Sequence, residues 1–390
     1  MKHRIQTFNT ISDKGLGRFD PALYSVSDHE QDPQAYILRS HKLHGASFPD
    51  SLLAVARAGA GYNNIPVEEL TRRGVVVFNT PGANANAVKE LVAAGLFLGS
   101  RGIYGGLRYV QSLADVQDPA ELSRQLEKDK KRFAGTEVAG KTLGVIGLGA
   151  IGSMVANMAL ELGMRVVGFD PAISVEAAWR LSSRVEKFDS LQAMLGEVDY
   201  LTVHVPANEH TQSLLDEDLL AGIKPGARLL NFAREQVVDV PAVLAALDSG
   251  RLSRYITDFP SPELFGREDI LLLPHIGAST REAEENCAVM AADQLMDFLV
   301  DGNIANSVNF PNTRMRRNGG CRITFCNANV PRVLGSVLSV LADGNINVID
   351  MVNRSRGDIA YNIIDVETEP GPEALDRIRV ADGVIRLRLV

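Results

Sequence analysis

Three side chains in the second half of the chain have types and spacing suited to one reaction: Arg234, Glu263 and His275, the last within Pro274-His275-Ile276-Gly277. A histidine can move a proton, a carboxylate can hold and tune that histidine, and an arginine fork can clamp a carboxylate or a carbonyl. They follow a turn, Gly147-Leu148-Gly149-Ala150-Ile151-Gly152, whose spacing suits a dinucleotide phosphate. A proton mover, a clamp and a dinucleotide together suit hydride transfer at the carbon of a 2-hydroxy acid.

The elements that must position these groups are strands alternating with helices, which predicts an α/β protein with parallel sheets. Strands are expected over 142–146, 165–169, 200–205, 228–232, 254–257 and 270–273, with a helix over 151–162 opening on the glycine turn. Arg234, Glu263 and His275 each follow one of these strands, at the carboxyl edge where open α/β sheets take ligands. Upstream, apolar runs at 35–38, 52–56 and 75–78 read as strands and 87–98 as a helix buried on most sides. A helix with one apolar face is expected over 281–299.

Each part of the glycine turn has a reason. Gly147 permits the tight turn, Gly149 lets backbone approach a pyrophosphate, and Gly152 lets the helix pack on its strand. Helix N–H groups and the dipole then face the phosphates. Asp170, at the end of the next strand, would accept from the ribose hydroxyls and repel a 2′-phosphate. Asp170-Pro171-Ala172-Ile173 supplies no arginine, so NAD is expected over NADP.

Bulk properties narrow the class. A net charge of −8 argues against phosphate-driven binding of nucleic acid, and 45% hydrophobic with 23% charged residues is ordinary for a globular chain. Cys287, Cys321 and Cys326 have no metal-ligand spacing, so no metal and a reducing, cytoplasmic location are expected. The first residues hold no apolar leader core and no run reaches 18 apolar residues, so no membrane span is expected. An acidic protein with an anionic substrate must gather cations locally. Arg39, Arg57 and the run Lys130-Lys131-Arg132 are the candidates, although the run also reads as a solvated charge cluster. Gly59-Ala60-Gly61 can offer backbone N–H groups to a carboxylate.

Residues 303–320 break the composition with Asn, Pro, Gly and arginines, and read as a linker. The remainder predicts strand, helix, two strands, helix and strand, the βαββαβ order of a ferredoxin-like domain.

These features resemble the D-isomer-specific 2-hydroxyacid dehydrogenase family, and within it the phosphoglycerate-oxidising branch. The resemblance rests on Arg57-Ala58-Gly59-Ala60-Gly61-Tyr62-Asn63-Asn64-Ile65, Asn79-Thr80-Pro81-Gly82, the stretch 133–144, His204-Val205-Pro206 and 274–280. It implies a Rossmann-type NAD domain over 97–282 and a flavodoxin-like substrate domain over 1–96 and 283–308. A linker at 309–319 and an ACT-type regulatory domain at 320–390 would follow. It further implies that NAD lies against Gly147, Gly149, Ala150, Ile151, Gly152, Asp170, His204, Val205, Pro206, Thr211, Phe232, Ala233, Arg234, Asp258, His275 and Gly277. Glu263 would hydrogen-bond the His275 ring. The substrate 3-phosphoglycerate would meet Arg39, Arg57, Gly59, Ala60 and Gly61, with Lys130 from a neighbouring subunit of a homodimer or homotetramer. Asn329 and Asn347 stand where the ACT pattern binds serine, although the same domain could serve oligomer contacts alone. The sequence departs from the family at Glu235-Gln236, Phe259-Pro260, Tyr62-Asn63 and at Arg332, where a glycine is usual. Two alternatives stay open: a dehydrogenase for hydroxypyruvate or 2-hydroxyglutarate, and an NADH-responsive binding protein.

Overall fold

The computed structural model describes residues 2–390, which form two compact units. One comprises the chain up to Asn84 together with Thr280–Val390, and the other is Ala85–Ser279.

The first unit is built on a five-stranded parallel sheet of His3–Thr7, Tyr24–Ser27, Ala35–Leu38, Ala54–Arg57 and Val76–Phe78. Their order is second, first, third, fourth, fifth, the flavodoxin-like arrangement. Alternation along the strands sorts the faces. Ile5, Ile37, Ala56 and Phe78 meet Ala288, Ala291, Leu295 and Phe298 of helix Arg281–Asp301, while Leu38, Val55 and Val77 meet Ile65 and Leu70. Alanines on the long helix allow close approach: a Cβ on Gly15 would stand 2.5 Å from Cβ of Ala288. The strands at 3–7 and 24–27 escape sequence reading because HRIQT and YSVS carry too few apolar residues.

The carboxy-terminal strands Cys321–Ala328, Val348–Arg356, Ile359–Val366 and Val384–Leu389 form an antiparallel sheet in the order second, third, first, fourth. This is the ferredoxin-like topology, with helices Val333–Asp343 and Pro372–Arg379. One face packs Ile323, Phe325 and Ile364 on Val337, Leu341 and Ile378. The other face joins the core of the five-stranded sheet through Cys326, Tyr361 and Ile363.

Polar contacts fix the same junction. The last turn of Arg281–Asp301 leaves carbonyls without helical partners. Arg388 donates to the Phe298 and Leu299 oxygens, Arg317 to Val300, Arg322 to Asp301 and the Tyr361 hydroxyl to Gly302. Arg322 also makes a two-pronged pair with Asp365 at 2.6 and 2.8 Å, both side chains being 1% exposed. The segment 309–319, expected as a linker, has no regular structure but is firmly seated. Asn309 accepts from the Val77 N–H and donates to the Val75 carbonyl, and Phe310 is buried. Backbone hydrogen bonding by side chains does there what periodicity does elsewhere, which leaves little pattern to read.

The second unit holds seven parallel strands: Thr142–Ile146, Arg165–Phe169, Glu186–Lys187, Tyr200–Val203, Ala227–Asn231, Leu252–Thr257 and Ile270–Leu272. The order third, second, first, fourth, fifth, sixth, seventh is that of a Rossmann sheet with one added strand. Helix Ala85–Ser100 packs on it through Val88, Val92 and Leu96. A Cβ on Gly95 would reach within 2.9 Å of Leu230, so the glycine sets the helix against the sheet. The division between the units therefore falls at 84/85, where the sequence placed it at 96/97. Helices Ile103–Ser112 and Pro119–Asp129 bury no side chain, and Tyr104, Leu107 and Val110 are exposed.

Candidate active site

In the second unit the glycine turn sits at the switch point of the sheet, between the first and fourth strands. Gly147 has φ 86°, and a Cβ there would lie 2.7 Å from the His204 carbonyl oxygen. A Cβ on Gly152 would collide with the Gly147 oxygen at 1.8 Å. Gly149, by contrast, faces open space at the N-terminus of the twelve-residue helix Ala150–Glu161, which contains Ala150 and Ile151. Two glycines thus build the turn and the third leaves room before it. Asp170 is tied into this turn: Oδ2 accepts from the Leu148 N–H at 2.8 Å and Oδ1 from Ala172 at 2.9 Å. The turn, the open helix end and the carboxylate are the features a dinucleotide requires, so the residues fit NAD.

The strand ends beyond it are held by buried polar groups. His204 Nε2 lies 3.0 Å from the Thr202 hydroxyl, while Nδ1 is sealed without a partner among the described residues. Burial pushes its pKa down to about 3, so the ring is neutral at physiological pH. Val205 and Pro206 follow, and the Thr211 hydroxyl donates to the Pro206 oxygen at 2.5 Å. Asn231 is fully buried. Its Oδ1 accepts from the Ala233 N–H and its Nδ2 donates to the Arg234 oxygen, so one amide shapes Phe232-Ala233-Arg234. The Thr257 hydroxyl donates to the Asn231 oxygen and so links the next strand end. Arg234 is half-buried, with Nη1 on the Ala233 oxygen at 2.6 Å.

His275 is exposed and adopts φ 50°, a left-handed conformation unusual for a side chain with a Cβ. Its N–H donates to the Asp258 oxygen at 2.9 Å, and the Asp258 Oδ2 accepts from Gly277 at 2.8 Å. Asp258 is 1% exposed, and burial raises its carboxyl pKa. The Phe259 ring meets the imidazole edge-on at 4.9 Å.

Glu263 departs from expectation. It is exposed, in the single turn Pro262–Leu264 whose Leu264 is buried, and no hydrogen bond or ion pair joins it to His275 among the described residues. Its own backbone N–H holds its carboxyl below the usual range. The turn after Ser261 directs the chain locally, and sequence order alone gave no sign of that direction.

In the first unit Arg57 ends its strand and donates from Nε to the Arg39 oxygen at 3.1 Å. Its guanidinium covers Gly59, where a Cβ would stand 1.9 Å from Nη1. The Gly59 carbonyl accepts from Thr80 and the Ala60 carbonyl from Asn79, which fixes the run toward Gly61. Arg39 is not free: its Nη2 contacts Glu284 Oε1 at 2.5 Å. The buried Asn64 holds the Arg39 loop through the Arg39 and His41 oxygens. Lys130, in the second unit, pairs with Glu127 of its own segment.

In the carboxy-terminal sheet, Asn329 donates to the Gly357 oxygen and Asn347 to Glu367, both exposed. Arg332 has φ 79°, which accounts for the glycine usual at that place. Sequence reasoning missed Asn231, Thr257 and Asn64. An amide directly at a strand end was the available signal for the first.

Comparison with known proteins agrees with this geometry. Residues 109–277 match the NAD-binding domain of D-isomer specific 2-hydroxyacid dehydrogenases. A putative D-3-phosphoglycerate dehydrogenase of Schizosaccharomyces pombe is 33% identical over 350 residues, covering 83% of this chain and 70% of the relative. The D-3-phosphoglycerate dehydrogenase of Escherichia coli K12 is 31% identical over 356 residues, 87% of this chain and 82% of the relative. Among solved structures, the apo D-mandelate dehydrogenase of Rhodotorula graminis matches with a TM-score of 0.65 at 26% identity, covering 79% of this chain and 98% of that one. With the glycine turn, its acid and the strand-end His and Arg in place, the chain belongs to the D-isomer-specific 2-hydroxyacid dehydrogenases and carries an NAD-binding domain of that family.

Proposed function

We propose that the protein oxidises D-3-phosphoglycerate to 3-phosphohydroxypyruvate, the entry reaction of L-serine synthesis. One observation carries the substrate: Arg39 and Arg57 stand at the carboxyl ends of adjacent strands, joined by a hydrogen bond. Two guanidiniums so placed suit a phosphate dianion, and the curated relatives named above are phosphoglycerate dehydrogenases.

NAD, when bound, supplies the hydride acceptor. The residues to hold it are the turn from Gly147 to Gly152, Asp170, the strand ends at 204–206 and 232–234 with Thr211, and Asp258 and Gly277. The remaining work falls to the chain. Arg234 clamps the substrate carboxylate and the C2 oxygen. His275 Nε2 or Nδ1 takes the C2 hydroxyl proton as that carbon is oxidised. Glu263 is the carboxylate proposed to tune the imidazole, a role that requires its turn to rearrange because no hydrogen bond joins the two among the described residues. Backbone N–H groups of 59–61 receive the carboxylate from the other side, and Lys130 of a second copy adds a cation. The exposed apolar stripe Tyr104, Leu107 and Val110 supports a homodimer or homotetramer. L-Serine at Asn329 and Asn347 is the proposed effector. A cytoplasmic location fits three unbridged cysteines, and no helix is long and apolar enough to cross a membrane among the described residues.

One observation favours a second reading, an unphosphorylated 2-hydroxy acid: the Arg39 charge is already met by Glu284. Formation of NADH with 3-phosphoglycerate and with D-glycerate decides between them. Turnover with 3-phosphoglycerate at a kcat/KM at least tenfold higher is expected, and equal or inverted values would remove the phosphate reading.

A further inference from the structure

Arg39 and Glu284 come from the two separate sequence segments of the first unit. Arg39 directly follows the strand Ala35–Leu38, and Glu284 lies in the first turn of Arg281–Asp301. Their 2.5 Å contact is made by side chains that are 41% and 43% exposed. They border a small cavity of about 20 Å³ that Ser12 and Ala58 also line. The two partners differ in how firmly they are placed. The Arg39 backbone oxygen accepts from both Arg57 and Asn64, so the loop beneath the guanidinium is fixed. Glu284 is fixed only as part of a helix, near an N-terminus where a carboxylate is favoured without any partner. The neighbouring Glu285, by contrast, is taken up by Lys14.

We infer that Glu284 is an exchangeable counter-ion, a positioning residue that holds Arg39 in the empty site and yields it to the distal phosphate of the substrate. The inference rests on the phosphoglycerate reading and extends it to the origin of selectivity. An exposed ion pair is weak, because both charges are well solvated and the long side chains lose freedom on pairing. A phosphate dianion offers the planar guanidinium two charge-assisted bonds and displaces the carboxylate. A neutral hydroxymethyl group offers neither, so Glu284 keeps Arg39 when D-glycerate is bound. The same carboxylate therefore sets an affinity threshold for the phosphorylated substrate and keeps an uncompensated guanidinium from collecting other anions.

Glu284→Gln keeps the shape of the side chain and removes the competing charge. The full-length variant is expected to lower KM for 3-phosphoglycerate about two- to fivefold, the range an exposed pair supports. KM for D-glycerate should stay within the error of the assay, and the effect should appear in KM rather than kcat. In an Arg39→Ala background the same change should leave the KM ratio unaltered, because the interaction it removes is gone. A Glu284→Gln enzyme whose two KM values are unchanged, or move by the same factor, overturns the inference while the wild-type preference for 3-phosphoglycerate stands. The absence of 3-phosphoglycerate turnover by the wild type overturns the substrate reading and this inference together.

Discussion

The carboxyl ends of the two parallel sheets solve different problems with different materials. In the seven-stranded sheet the ends are locked by buried polar groups: Asn231 and Thr257 are wholly buried, Asp258 is 1% exposed and His204 is neutral. In the five-stranded sheet the ends carry charges nearer to water, with Arg39 paired to the exposed Glu284 and the half-buried Arg57 lying over Gly59. Chemistry at a single carbon demands placement to within a fraction of an ångström, and buried hydrogen bonds supply that order. Recognition of a charged group demands that partners be released and regained, which exposed ion pairs allow.

The test with the largest effect addresses the reacting end itself. His275→Ala is expected to lower turnover by about two to four orders of magnitude while NADH still binds, read by steady-state kinetics beside a fluorescence titration of the cofactor. Turnover near the wild-type value would take His275 out of the mechanism and with it the contrast between ordered and exchangeable ends. A smaller effect tests the order directly. Asn231→Ala leaves the Ala233 N–H and the Arg234 oxygen without their side-chain partner, which should destabilise the protein by about 1–3 kcal/mol in urea. Glu284→Gln at the other sheet should change stability by less than about 0.5 kcal/mol. Equal losses in the two variants would mean that the sheets are held alike.

Legibility in the sequence follows the same division. The Rossmann unit could be read because its central strands are largely apolar, and Gly147 and Gly152 indeed stand where a Cβ would strike backbone; the two-residue strand Glu186–Lys187 carried no such sign. The order of the last four strands could also be read from alternation and turns. What the second face of that sheet would touch was harder. Strand Ile359–Val366 is buried on both faces, and its near-continuous apolar run was the available sign. The capping of the long helix by Arg388, Arg322 and Tyr361 had no local signature, because residues 21 to 90 positions apart make it. For the candidate site, residue types at strand ends pointed to Arg234 and His275. The left-handed backbone of His275 and the separate turn that holds Glu263 arise from tertiary constraints that a spacing pattern does not encode.

The last test is a dependence on pH that belongs to the ordered end alone. In the unfolded chain His204 titrates near 6.5, and in the fold burial lowers it to about 3. Below 6.5 the unfolded state binds a proton that the folded state refuses. The neutral-ring contribution to stability is therefore complete above about 6.5 and is lost as pH falls from there toward 3. One proton sets a limiting slope of about 1.4 kcal/mol per pH unit. His204→Asn removes this titration and keeps a polar group beside the Thr202 hydroxyl. Unfolding free energies of wild type and variant should differ by a constant from pH 7 to 8. Between pH 6 and 4 wild type should lose stability more steeply than the variant, by less than the limiting slope because the ring is not wholly shut from water. Parallel profiles across that window would show that the ring at this strand end can take up a proton in the fold, and that burial does not order it as argued.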